Sequence, residues 1–102
     1  MRITITARHC DIPADLRASA RARLERLSRI ASRPHHLQLI FDAEHGKPTV
    51  ELRLHTNRRH VHFATAEAAD HRSALDRAIA KVRRQLDKPP MPGARDSARK
   101  AR

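Results

Sequence analysis

Aromatic residues are nearly missing from this chain, which has two Phe, Phe41 and Phe63, and no Trp or Tyr. Both Phe fall at positions read below as inward-facing, so the aromatic platforms of single-strand nucleic-acid binders are not expected. Cysteine is as scarce: the lone Cys10 cannot form an internal disulfide, and no Cys pair exists to anchor a zinc site. His9 adjoins Cys10, but adjacent strand residues point apart, so Cys10 reads as a small, partly buried residue and not as a nucleophile. Glycine is limited to Gly46 and Gly93. That excludes a Gly-rich phosphate loop and a G-x-S-x-G elbow, and H-E-x-x-H is missing too. No enzyme, cofactor or small-molecule substrate is therefore expected. No apolar run is long enough to cross a bilayer, and Met1-Arg2-Ile3-Thr4 lacks the apolar stretch of a signal peptide. The expectation is a soluble, cytoplasmic protein without a membrane partner.

Acidic residues are also in short supply. Against 11 Asp and Glu stand 22 Lys and Arg, giving a formal net charge of +11 and a pI near 11.6 over 102 residues. Apart from Lys47, Lys81, Lys88 and Lys100 the basic residues are all Arg, the side chain suited to bidentate phosphate contact. Membrane surfaces are anionic as well, so charge alone does not choose between lipid and nucleic acid. Leu, Ile, Val and Phe are few for so charged a chain, but all lie between Ile3 and Leu86 in periodic segments. A thin core fits one domain over 1–87. Residues 88–102, from Lys88-Pro89-Pro90 to Arg102, read as a basic tail that is disordered in isolation.

Periodicity lays out the elements. Ile3 and Ile5 alternate with Thr4 and Thr6 in a first strand, Arg2 to Ala7. Asp11-Ile12-Pro13-Ala14-Asp15 is a helix start, and Leu16, Ala20, Leu24, Leu27 and Ala31 share one stripe until Ser32-Arg33-Pro34 ends it. A second strand over 37–43 turns Leu37, Leu39 and Phe41 inward, and His35-His36 begins it. Glu44-His45-Gly46-Lys47-Pro48 forms a turn, and Val50, Leu52 and Leu54 face inward from a third strand. Asn57-Arg58-Arg59 marks a tight turn into a fourth, anchored by Val61 and Phe63. Asp70 is an N-cap for a final helix running to about Leu86. The order β-α-β-β-β-α predicts an α+β fold, a four-stranded mixed sheet with both helices on one face. The first two strands are expected to be parallel, joined by a right-handed crossover.

The final helix carries the main functional signal. Arg77, Lys81, Arg84 and Lys88 fall within an arc of about 60°, while Leu75, Ile79, Val82 and Leu86 point the other way. A ladder of like charge at one-turn intervals suits a phosphate backbone. Asp76 and Asp87 lie beside it. The first helix adds Arg17, Arg21, Arg23, Arg26 and Arg29 around its exposed half, with Glu25 the one acid in its body. Two basic helices on one side of the sheet are expected to concentrate positive potential along the groove between them, with the stripe as one wall. Eight histidines raise a metal question. His60 and His62 share one side of a strand with His55 on its neighbour, but no Cys pair or convergent carboxylate completes a set. They are read as conditional positive charge. With both Phe inward, recognition of backbone and shape, as in structured RNA, is expected.

These residues in this order resemble a family: the bacterial ribosome hibernation promoting factors and ribosome-associated translation inhibitors, also called sigma-54 modulation proteins. The resemblance spans Met1 to about Lys88. It is carried by Ile5-Thr6 followed by Asp11-Ile12, by Leu16-Arg17, and by the segment His62 to Glu67. Most specific is Asp70-His71-Arg72-Ser73-Ala74-Leu75-Asp76 leading to Lys81, Arg84-Gln85-Leu86 and Lys88, which is similar to the family's D-x-Y-x-A-I-D…K…RQL…K run. The resemblance implies a fold akin to double-stranded-RNA-binding domains and lodging in the decoding channel of the small ribosomal subunit, against its rRNA, to silence idle ribosomes. Arg17, Arg23 and Arg26 match basic family positions in the first helix, and Lys81, Arg84 and Lys88 those in the second. Arg21 and Arg77 are additional charges here. Arg72 replaces an aromatic, Pro13 a capping Thr, and Asn57-Arg58-Arg59 a Gly-rich turn. The expected protein is monomeric away from the ribosome. Its rivals are a general structured-RNA or DNA binder, a protein-interaction regulator of a sigma factor, and a zinc hydrolase using His55, His60 and His62.

Overall fold

A computed structural model describes residues 1–56 and 60–87. The turn read at Asn57-Arg58-Arg59 and the tail 88–102, Lys88 included, lie outside the described residues. Six elements follow in the expected order: β1 (Arg2–Ala7), α1 (Ala14–Ile30), β2 (Pro34–Glu44), β3 (Lys47–Thr56), β4 (Val61–Glu67) and α2 (His71–Asp87). The strands form one sheet in the order β1-β2-β3-β4. β1 and β2 are parallel, and the other pairs are antiparallel.

Register assigns the two faces. Ile3, Ile5 and Ala7 on β1 pair with Leu37, Leu39 and Phe41 on β2, which pair in turn with Leu54, Leu52 and Val50 on β3. This face meets both helices. Leu16, Ala20, Leu24 and Leu27 of α1 and Leu75, Ile79 and Val82 of α2 close a core with those strands. Leu24, Leu37, Leu39, Phe41, Leu52 and Leu54 have no exposed surface. Truncating one such Leu to Ala costs roughly 2–5 kcal/mol, a large share of a small domain's stability.

Local chemistry sets the element ends. The Asp70 carboxylate accepts the Ser73 N–H at 2.7 Å, capping α2 and holding the Asp70 carboxyl below its ordinary value. α1 starts at Pro13 without a side-chain cap, where the missing proline N–H leaves one donor fewer to satisfy. At the β2–β3 hairpin His45 and Gly46 have φ of 54° and 78°, the paired left-handed conformation of a two-residue turn matched to sheet twist. Asp42 ties the top of the sheet together. Its carboxylate pairs with Arg8 (3.1 Å) and accepts from His9 (3.0 Å) and the Ala43 N–H (2.8 Å), while its carbonyl accepts from His71 (2.8 Å).

The fourth strand departs from expectation. Val61 and Phe63 are each 46% exposed, and Ala64 and Ala66 fill the core instead. Phe63 pairs with Arg53, and Val61 with His55, on the face away from the helices. The physical reason is clearance. α2 lies over β3 and β4 with Ala74 and Ala78 fully buried, and only small side chains on β4 fit beneath so close a helix. His55 is likewise displaced. It stacks on His36 across the open face (5.6 Å), whereas His60 and His62 lie together (5.1 Å) with His62 paired to Leu54 of the core face. The three histidines therefore do not converge, and no cluster of metal-ligating side chains occurs among the described residues.

Long side chains from the helices reach the backbone of both free sheet edges. On β1, Arg17 donates to the Ile5 carbonyl at 3.2 Å. On β4, Arg77 donates to Glu67 O (2.8 Å), Lys81 to Thr65 O (2.7 Å) and Gln85 to Phe63 O (2.9 Å). These carbonyls alternate along the strand and point away from β3, so an uncovered β4 would offer a template for another strand. The triple substitution Arg77→Ala, Lys81→Ala, Gln85→Ala is expected to leave the fold intact and to induce concentration-dependent self-association in sedimentation velocity. A triple variant as monomeric as the parent would show that these side chains do not guard the edge.

Candidate nucleic-acid interface

The basic residues form two separate surfaces, because each helix presents two exposed flanks. A residue advances about 100° around a helix, so Arg83 projects far from its neighbour Arg84. Arg83 turns toward α1 and, with Arg23 and Arg26, lines a groove of about 440 Å³ floored by Leu27, Ile30 and Ile79. The expected wall of this groove was the stripe Arg77, Lys81 and Arg84. Those residues lie instead on the opposite flank of α2, along β4. The correction follows from α2 packing over the strand edge, which turns the stripe outward and leaves Arg83 and Asp76 to face α1.

The eight candidates differ in how they are held. Arg17, Arg77 and Lys81 each donate to a backbone carbonyl. A carbonyl is neutral, so these cations are fixed in place with their charge uncancelled, and Lys keeps two further donors and Arg four. Arg23 forms an ion pair with Asp76 across the helices, which orients it and offsets its charge. Arg21, Arg26 and Arg84 are exposed and have no hydrogen-bond or ionic partner among the described residues. Lys88 lies outside them. Arg72 reaches toward Asp15 at 4.0 Å, an exposed pair that contributes little to stability.

Two members of the surface escape a reading by residue type. Arg83 has a sequence signal in its helical angle, which sets it apart from the stripe of Arg77, Lys81 and Arg84. Phe63 had a contrary one, because a lone Phe in a strand reads as core. In the fold its ring is exposed, carries the Arg53 guanidinium 5.5 Å from its centroid, and borders a depression of about 520 Å³ with Lys81, Arg84 and Gln85. Arg53 is itself held by Glu51 at 2.7 Å.

The histidines do not uniformly add charge. Burial, Arg2 and His55 push His36 below the ordinary histidine value, and it shares a 2.9 Å hydrogen bond with the Thr4 hydroxyl. Burial and His60 lower His62, against a hydrogen bond with Gln85 that favours its charged form. Cys10 is shifted the other way: burial and the Asp42 charge raise its thiol, making it less reactive.

The sequence model of the family described as sigma 54 modulation protein / S30EA ribosomal protein matches residues 3–89. Among solved structures, the crystal structure of the Thermus thermophilus Protein Y N-terminal domain superposes with a TM-score of 0.71 at 22% identity, covering 84% of this chain and 96% of that one. A structure of a ribosomal subunit interface protein from Coxiella burnetii gives a TM-score of 0.71 at 25% identity, covering 84% and 93%. No curated protein matches the chain. No helix among the described residues is long and apolar enough to cross a membrane.

The lowered histidines predict a pH dependence. The folded state holds His36 and His62 neutral where the unfolded chain would protonate them, so their contribution is complete above the ordinary value near 6.5 and is lost as pH falls through it. The melting temperature is expected to be lower at about pH 5.5 than at about pH 7.5, with His36→Gln plus His62→Gln narrowing the difference. An undiminished difference in that double variant would acquit both histidines.

Proposed function

The chain belongs to the sigma 54 modulation protein / S30EA ribosomal protein family, and from that premise we propose that it is a non-enzymatic ribosome hibernation factor of the cytoplasm. It binds the small ribosomal subunit at the decoding channel, against rRNA, and inhibits translation in idle or stressed cells. The observation that carries this reading is the pinning of Arg77 and Lys81 on the β4 carbonyls, with Arg17 held the same way on β1. Charges fixed by neutral acceptors meet a polyanion with little further loss of side-chain entropy. Arg21, Arg26, Arg83 and Arg84, without an ionic partner among the described residues, supply further positive charge between and beside them. Among the described residues no carboxylate lines the inter-helix groove or the β4 depression, which favours an anionic ligand. Asp76 offsets Arg23, and Lys81 also borders an adjoining depression with Asp42, Glu44, Glu51 and Glu67. No cofactor is invoked, because occlusion needs only fit and charge.

Neutralising six to eight phosphates makes affinity fall by roughly 10³ or more between low and moderate salt. Charge reversal at Lys81→Glu and Arg84→Glu is expected to abolish co-sedimentation with small subunits while leaving the melting temperature within about 3 °C of the parent. A reversed protein that still co-sediments would remove the β4 flank from the interface. Association that survives nuclease digestion of the RNA would instead favour a protein partner such as a sigma factor.

A further inference from the structure

Phe63 is the feature that neither the core nor the guarded edge explains. It is one of two aromatic residues in the chain, and it stands 46% exposed on the sheet face away from the helices. Its surroundings are mixed: Val61 shares its face of β4, and cations adjoin the ring. Arg53 lies over its ring at 5.5 Å, and the depression it borders continues around the β4 edge past Ala64 and Thr65 to Lys81, Arg84 and Gln85. We propose that this depression binds a single unpaired nucleotide of RNA, its base stacked on Phe63 and its phosphate held by Lys81 and Arg84. The inference rests on the RNA-binding reading above and adds to it a site for an unstacked base.

Four observations favour this occupant. The depression measures about 520 Å³, within the range of small-ligand sites and large enough for a base with its phosphate. Its charged members are both cations, with no carboxylate in its lining among the described residues, so an anion is admitted. Its rim is held in place: Gln85 donates to Phe63 O at 2.9 Å and Lys81 to Thr65 O at 2.7 Å, which fixes the strand beneath the ring and the ammonium beside it. Arg84 is exposed and has no partner among the described residues, leaving its guanidinium available for a phosphate. A ring bordered by guanidinium groups is the surface on which unstacked bases rest, because every base offers a π-face whatever its sequence. An apolar peptide would leave Lys81 and Arg84 facing a ligand that needs neither. A continuous duplex keeps its bases stacked and would leave the ring unused.

The test uses the full chain, a short single-stranded RNA carrying one 2-aminopurine, and small ribosomal subunits in parallel. The parent protein is expected to bind the oligonucleotide at low salt and change the 2-aminopurine fluorescence. Phe63→Leu should lose that change and bind roughly tenfold more weakly, and Phe63→Tyr should restore both. Circular dichroism melts of each variant should match the parent, since residue 63 lies outside the core. Phe63→Leu behaving like the parent would overturn the site while leaving ribosome binding standing if co-sedimentation persists. A parent that binds neither oligonucleotide nor subunits would overturn both readings together. If Phe63→Leu loses subunit association but the parent never perturbs 2-aminopurine, Phe63 contacts protein and the nucleotide site is overturned.

Discussion

A row of long side chains bridging α2 to the edge of β4 is the contact on which the guarding of that edge and the placement of the surface charge both depend. Thr65, Glu67 and Phe63 present their carbonyls outward because alternate residues of an edge strand have no neighbour to pair with. Lys81, Arg77 and Gln85 answer each of them, one turn of helix per two residues of strand. The match is geometric. A helix rises about 5.4 Å per turn and two strand residues span about 6.6 Å, so a helix inclined slightly over the strand keeps pace with its carbonyls. Arg17 makes one such contact on β1, to the Ile5 carbonyl.

That arrangement links stability to function. Side chains that shield the edge are anchored by neutral groups, so the same cations remain as outward charge. Where the fold needs its helices held to each other it uses carboxylates instead, in the Arg23–Asp76 pair and the longer Arg72–Asp15 contact. At the helix–helix seam Asp76 offsets Arg23 while Arg26 and Arg83 keep their charge, and on the β4 flank Arg77 and Lys81 keep theirs. The small residues that let α2 approach β4 complete the design, since Ala64 and Ala66 under Ala74 and Ala78 bring the stripe within reach of the carbonyls. Larger side chains there would lift the helix and free the edge.

Much of this was legible in the residues. The alternation of Ile3 and Ile5, the stripe from Leu16 to Leu27, the pairing partners Leu37, Leu39 and Phe41, and the Asp70 cap all have direct physical signatures, and the element order followed from them. β4 differs from the expected register by one residue, and a one-residue shift exchanges the two faces of a strand. Val61 and Phe63 carry the stronger hydrophobic signal, but Ala64 and Ala66 carry the shape that α2 requires, and shape belongs to the pair of elements. The stripe's placement was hidden for a related reason. A backbone carbonyl is common to every residue, so no sequence pattern marks which ones Arg77 and Lys81 will meet. The error at Phe63 also carried the expectation that no aromatic ring is available for stacking, which its 46% exposure reverses.

The domain is a sheet whose β4 edge is guarded by Arg77, Lys81 and Gln85, and its surface cations are proposed to read the rRNA of the small ribosomal subunit. The most direct measurement is chemical footprinting of that rRNA with and without the protein. The account predicts protections confined to the decoding channel, lost when messenger and initiator tRNA already occupy it. No protection, or protections elsewhere that persist beside messenger and tRNA, would contradict it.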